Sequence, residues 1–135
     1  QNKKILFLCT GNSCRSQMAE ALAKKYLNNC IVESAGTNPE LINPLTIEVM
    51  KEINIDLSNQ YSKSISDKDI KSFDLAITLC GDAKDKCINL NHLVKQFFHW
   101  DINDPSKANG TNQEKFNVYR DVRDKIKNKI ITFSI

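Results

Sequence analysis

No apolar run in this chain of 135 residues approaches the roughly 18 that a membrane-spanning helix needs, so no helical span is expected. Gln1 to Lys4 followed by the short apolar run Ile5 to Leu8 is too brief for a secretory leader. Charge of one sign is not concentrated either. Lysine and arginine number 19 against 16 aspartates and glutamates, a net charge of +3, and the lysines are scattered apart from a local concentration in the last expected helix, which argues against a nucleic-acid footprint. Histidine is scarce, and His92 and His99 stand at no convincing ligand spacing, so neither a metal nor another cofactor is expected. No repeat, linker or second domain interrupts the chain, which reads as one domain over residues 1–135 and as a monomer. Five cysteines without a leader point to thiol chemistry in the cytoplasm rather than to a disulfide scaffold.

What is present is an alternation of short apolar runs with helical stretches, the pattern of an α/β doubly wound fold with a four-stranded parallel sheet flanked by helices. Ile5 to Leu8 is uninterrupted, as suits a strand buried on both faces. Met18, Leu22 and Tyr26 then recur at helical spacing. Ile31 to Ala35, ended by Gly36, gives a second strand, and Leu75 to Leu79 a third. Val94 to Phe98 is the fourth. Asn43-Pro44 predicts a helix cap followed by proline at the first helical position, with Val49, Met50 and Ile53 on the apolar face. Ser66 is expected to cap a further short helix, and Pro105 to Gln113 reads as a polar loop. In the last helix Phe116, Tyr119, Val122, Ile126 and Ile130 form one stripe, so these aromatics are assigned to the core.

Chemistry concentrates in Cys9-Thr10-Gly11-Asn12-Ser13-Cys14-Arg15-Ser16, between the first strand and the first helix. Backbone N–H groups of Thr10, Gly11, Asn12, Ser13, Cys14, Arg15 and Ser16 can converge there on an oxyanion, at the positive end of the helix dipole. The same setting favours a thiolate at Cys9, which is expected to ionise easily. Arg15 supplies a planar fork for a tetrahedral oxyanion, and Ser16 can hydrogen-bond the sulfur. Gly11 permits a backbone conformation that other residues resist, and Asn12 and Ser13 tolerate tight turns and offer local hydrogen bonds. A Cys followed six residues later by Arg arises by chance in roughly 0.1 of such chains, so structural context carries the reading. A buried Cys9 with Arg15 on a solvated helix face would leave the loop's composition unexplained.

Two further groups fall on the same rim. Cys80 follows the third strand, where ligands bind in open parallel sheets, and is therefore expected near Cys9. Cys87 lies seven positions on, roughly 10.5 Å along an ideal helix, whereas a disulfide wants Cα atoms within about 7 Å. A Cys80 to Cys87 bridge would need a loop or an unwound helix. Asp104-Pro105 offers a carboxyl group on a rigid turn, suited to protonating a departing oxygen. Asp101 is its rival on spacing alone. Cys14 can shape the loop, and Cys30 is read as a small buried hydrophobe.

The run from Cys9 to Glu20, Ser34-Ala35-Gly36, the Cys80 and Cys87 pair and Asp104-Pro105 together resemble the thioredoxin-coupled arsenate reductases, whose fold is shared with low-molecular-weight protein tyrosine phosphatases. The phosphatase branch commonly has proline where Gln17 stands here and lacks the redox pair. The resemblance implies that arsenate is the substrate and thioredoxin the partner. Cys9 would attack arsenate while Asp104 protonates the leaving oxygen; Cys80 and then Cys87 would carry the resulting disulfide outward. It also implies a potassium site in some members, at positions matching Asn12, Glu20 and Ser34 with a carboxylate where this chain has Lys63. Lys63 either takes the ion's place beside Glu20 or points to water, and in both cases potassium should matter little.

Overall fold

The computed structural model describes residues 3–133; the two ends of the expected 1–135 domain, and with them part of the stretch Gln1 to Lys4, lie outside the described residues. Four strands, β1 (Lys3–Cys9), β2 (Cys30–Gly36), β3 (Leu75–Thr78) and β4 (Gln96–His99), form one sheet in the order β2-β1-β3-β4. All neighbours are parallel. Helices α1 (Arg15–Tyr26), α2 (Pro44–Lys51), α3 (Gly81–Cys87) and α4 (Asn112–Thr132) connect or follow them. The chain leaves β1 toward β2 on one side and reaches β3 on the other, so the carboxyl ends of β1 and β3 flank the topological switch point.

β1 is buried on both faces because its side chains alternate between two apolar clusters. Ile5, Phe7 and Cys9 face the larger one, packed with Met18 and Leu22 of α1 and with Tyr119, Val122, Ile126 and Ile130 of α4. Leu6 and Leu8 face the smaller one, with Phe73, Ala76, Val94 and Cys87. Each fully buried Leu or Ile contributes roughly 1.5–3 kcal/mol, so the α1 and α4 side is the firmer layer and the α3 side the thinner.

Local chemistry explains most boundaries. Asn43 Oδ1 accepts from Leu45 N at 2.9 Å, and Pro44 opens α2. Ile53 lies just beyond that helix rather than on its face. The helix expected after Ser66 is instead a pair of 3-10 turns, Ile65–Asp67 and Ile70–Ser72, and the first is capped by Ser64, whose Oγ accepts from Ser66 N. Apolar residues there are too few to bury a longer helix. The polar stretch from Pro105 is shorter than expected. Pro105–Lys107 is a 3-10 turn, and α4 begins at Asn112 behind a capping box in which Thr111 and Glu114 satisfy each other's backbone N–H groups. Phe116 is half-buried and Tyr119 fully buried, against the core as assigned. Among the described residues no helix is long and apolar enough to cross a membrane.

Candidate active site

The loop after β1 is held from behind. Gly36 lies opposite Cys9 in the sheet, and a Cβ there would sit 2.4 Å from the Thr10 carbonyl oxygen and 2.9 Å from Asn12 N. Only glycine admits so close an approach. Thr37 N donates to Cys9 O, Asn38 N to Thr10 O and Glu40 N to Gly11 O, so the segment after β2 straps the loop down. The left-handed residue of the loop is Asn12, one of the two expected to tolerate a tight turn, with a φ of 50°. At Gly11 a Cβ would lie 3.1 Å from Ser13 Oγ, a side-chain atom that would have to give by a few tenths of an ångström.

Asn12 is fully buried, and its bonds fix the direction of a whole network. Lys63 N–H donates to Asn12 Oδ1 at 2.8 Å, which orients the amide. Asn12 Nδ2 therefore donates to Ser16 Oγ at 2.7 Å and to Ser34 Oγ at 2.9 Å. Ser16 Oγ lies 2.8 Å from Cys9 Sγ and donates to it when the sulfur is a thiolate, and Ser34 donates to Glu20 Oε1 at 2.5 Å. Asn12 N–H adds a second donor to the sulfur at 3.2 Å. Gln17 Nε2 and Ser62 Oγ both donate to Asn12 O, each at 2.9 Å. Neither Ser16 nor Asn12, the two donors to the sulfur, lines the cavity described below.

Cys9 is only 3% exposed, and this enclosure corrects the expected easy ionisation. Burial pushes its thiol above the ordinary value; the bonds from Ser16 and Asn12 and the Arg15 charge offset this only in part. Donors were legible in the sequence, but the degree of desolvation was not.

Behind the loop, Lys63 Nζ lies 3.1 Å from Glu20 Oε1 and 2.9 Å from Tyr61 O, so it takes the inward of the two orientations considered. Its ammonium pairs with Glu20, while Asn12 Oδ1 accepts from the Lys63 backbone N–H and Ser34 Oγ from Asn12 Nδ2, so the oxygens a potassium ion would need are already engaged and the ion does not fit. Lys24 Nζ shares Glu20, at 2.6 Å. Burial works to raise the Glu20 carboxyl, but Lys24, Ser34 and Lys63 outweigh it and hold it below its ordinary value. Burial also lowers Lys63, against the pull of Glu20. These two directions oppose each other across one pair; a carboxylate served by three donors stays ionised, and the paired form is the neutral-pH state.

Cys80 caps α3, accepting from Ala83 N at 3.4 Å, and lies 3.4 Å from Thr10 Oγ1. The chain from Gly81 to Cys87 is helical in this state, so the thiols of Cys80 and Cys87 are both free. Cys87 packs into the smaller cluster. Arg15 reaches across to the loop after β4, where Nη1 donates to Ile102 O at 2.9 Å and Nη2 lies 3.7 Å from Asp104 Oδ2. Asp104 Oδ1 meanwhile accepts from Ser106 N and Oγ, which aim the carboxylate. Asp101 makes no such link to Arg15, although it borders the same space.

That space is a cavity of about 660 Å³ bounded by Cys9, Thr10, Gly11, Ser13, Arg15, Cys80 and Asp104, with Glu40, Asp82, Asp101, Asn103, Ser106 and Lys107 on its walls. Asn12, Cys14 and Ser16 do not border it with their side chains. Cys14 is buried with its sulfur 4.0 Å from Tyr119 Oη, a packing contact of the loop. Cys87 lies away from the cavity at the far end of α3. Cys30 is half-exposed at the start of β2 rather than buried, because the sheet edge there is uncovered. Glu40, Asp82 and Lys107 carried no signal in the sequence; folding alone brings them to the rim. Among the described residues no cluster of His, Cys, Asp and Glu is arranged to hold a metal.

A family model described as low molecular weight phosphotyrosine protein phosphatase matches residues 4–134. The chain is 48% identical over 135 residues to the arsenate reductase of Bacillus subtilis (strain 168), covering 99% of this chain and 96% of that protein. It is 52% identical over 136 residues to the arsenate reductase of Oceanobacillus iheyensis, covering 98% and 96%. Among solved structures, an arsenate reductase in the phosphate binding state superposes with a TM-score of 0.81 at 32% identity, over 95% of this chain and 93% of the other.

Proposed function

The chain belongs to the low molecular weight phosphotyrosine protein phosphatase family, and from that premise we propose that it reduces arsenate to arsenite through a relay of Cys9, Cys80 and Cys87. The observation that carries the reading is the contact between Thr10 Oγ1 and Cys80 Sγ, which puts a second thiol at the loop that holds the first. A phosphatase needs only Cys9; a two-electron reduction needs a further sulfur within reach. The relatives named arsenate reductase support the same choice.

In this scheme arsenate binds to the loop N–H groups and Arg15. The Cys9 thiolate forms a sulfur–arsenic bond as one arsenic–oxygen bond breaks, and Asp104 gives the proton with which that oxygen leaves as water. Arg15, between the loop and Asp104, faces the charge that develops. The Cys80 thiolate then attacks Cys9 Sγ. Its own proton has gone to solvent, and the sulfur–arsenic electron pair stays on arsenic, which leaves as arsenite. A Cys9 to Cys80 disulfide remains. Cys87 attacks Cys80 next and releases the Cys9 thiolate, so two thiols have supplied the two electrons. Because α3 separates Cys80 from Cys87 by most of two turns, that bridge requires the helix to unwind. Thioredoxin returns the electrons. We place this single-domain, monomeric enzyme in the cytoplasm, in arsenic detoxification.

A second reading, tyrosine phosphatase, shares the loop and Asp104. Against it stands the wall of the cavity, where no aromatic side chain among the described residues is present to grip a phosphotyrosine ring. The deciding experiment supplies arsenate to the reduced protein with thioredoxin, its reductase and a nicotinamide donor. Arsenate-dependent oxidation of thioredoxin is expected; rapid aryl phosphate turnover without it would select the phosphatase.

A further inference from the structure

Every backbone carbonyl from Cys9 to Cys14 has a hydrogen-bond partner. Five of them accept from backbone N–H groups: Cys9 O from Thr37, Thr10 O from Asn38, Gly11 O from Glu40, Ser13 O from Asn43 and Cys14 O from Met18. Among the described residues Asn12 O is held by side chains instead, Gln17 Nε2 and Ser62 Oγ, each at 2.9 Å. Neither Gln17 nor Ser62 borders the cavity, so this carbonyl points away from it. In a planar trans peptide the N–H points opposite to the carbonyl, which turns Ser13 N–H toward the cavity that Ser13 lines. Gln17 is fully buried, and its amide is fixed at both ends. Gln60 Nε2 donates to Gln17 Oε1 at 2.8 Å, which leaves Gln17 Nε2 to donate to Asn12 O and, at 3.0 Å, to Tyr61 O.

We propose that Gln17 is a positioning residue: together with Ser62 it sets the Asn12–Ser13 peptide so that Ser13 N–H faces an oxyanion in the cavity. Backbone donors hold the other carbonyls whatever the side chains are, so this is the peptide of the loop whose orientation a side chain controls. Asn12 is also left-handed, with a φ of 50°, a conformation that an L residue keeps where its surroundings hold it. Freed from both donors, its carbonyl would be left unsatisfied and would turn to water in the cavity, aiming negative partial charge at the anion. Proline at position 17 could not do this work, because its ring carries no donor. The proposal rests on the loop as an oxyanion cradle, which both readings of the activity share.

The test titrates inorganic phosphate into the reduced full chain by calorimetry, so that no redox step is involved. Gln17→Met keeps the length of the side chain and removes its donors; phosphate affinity is expected to fall about fivefold, the factor one net hydrogen bond supplies. Ser62→Ala should act in the same direction, and the double variant should lose at least about twenty-fivefold, since the last donor goes with it. Gln60→Met loosens the same seam without touching Asn12 O. It should lower the melting temperature and leave phosphate affinity within about twofold of wild type. Unchanged affinity in either Gln17→Met or Ser62→Ala, or an equal loss in Gln60→Met, overturns the proposal, as does a wild type that does not bind phosphate. A failure of the relay reading would leave these affinities untouched and would show instead in the thioredoxin assay.

Discussion

Around Cys9 the backbone is gripped from several sides, whereas around Cys80 and Cys87 it is held mainly by one seven-residue helix. The first loop is tied to the segment after β2, to Lys63 and to Gln17, and it sits over the larger apolar cluster. α3 leads straight into a 3-10 turn, Ile88–Leu93, with no fully buried side chain; Ala83 at its start reaches the larger cluster, and Cys87 at its end packs in the smaller one. The contrast follows from the two tasks. Stabilising an oxyanion depends on donors fixed before the substrate arrives. A sulfur that must meet first Cys9 and then Cys87 needs a segment that opens at low free-energy cost.

The grip on the loop is broken most severely by Gly36→Ala, whose methyl group overlaps the Thr10 carbonyl. A displacement of the loop by about 1 Å is expected to cost about a hundredfold in both arsenate turnover and aryl phosphate cleavage. Steady-state assays of the two reactions check this, and wild-type rates would mean that β2 does not hold the loop. The looseness of the other region is sharpened by hydrogen exchange. Amides from Gly81 to Leu93 should exchange at least about tenfold faster in the oxidised protein, while those from Gly11 to Arg15 stay unchanged.

A subtler change acts on the sulfur alone. Ser16 donates to Cys9, so it favours the charged form, and its removal raises the thiol pKa further. In Ser16→Ala the curve of Cys9 alkylation against pH should move to the alkaline side. At neutral pH the rate should fall about tenfold, as expected for losing a hydrogen bond to a charged group. Coincident curves would remove Ser16 from the account. The smallest effect is expected from exchanging potassium for sodium at constant ionic strength. Lys63 already sits beside Glu20, so melting temperature and arsenate kinetics should not change; a potassium-specific rise in melting temperature would show a bound ion.

Local signals made much of this legible in sequence. The short apolar runs gave the strands, Asn43-Pro44 gave the start of α2, and strand-end logic put Cys9 and Cys80 on one rim. The cavity also brings Arg15 and Asp104 to that rim. What escaped depends on distant chain. The role of Gly36 as a floor for the loop needs the β1 and β2 register, and the direction of the Asn12 network needs Lys63, far along the chain. Desolvation of Cys9 is likewise a property of the packed layers, not of its neighbours. The Thr111 and Glu114 capping box was written locally but lay inside a polar run that reads equally as loop.

The relay is tested most directly by mapping disulfides after one exposure of the reduced protein to arsenate, without thioredoxin. Wild type should carry a Cys80 to Cys87 bridge and release one arsenite per chain. Cys87→Ser should release the same arsenite but stop with Cys9 joined to Cys80. Arsenite formed with neither bridge, or no arsenate-dependent disulfide in either protein, would contradict the account.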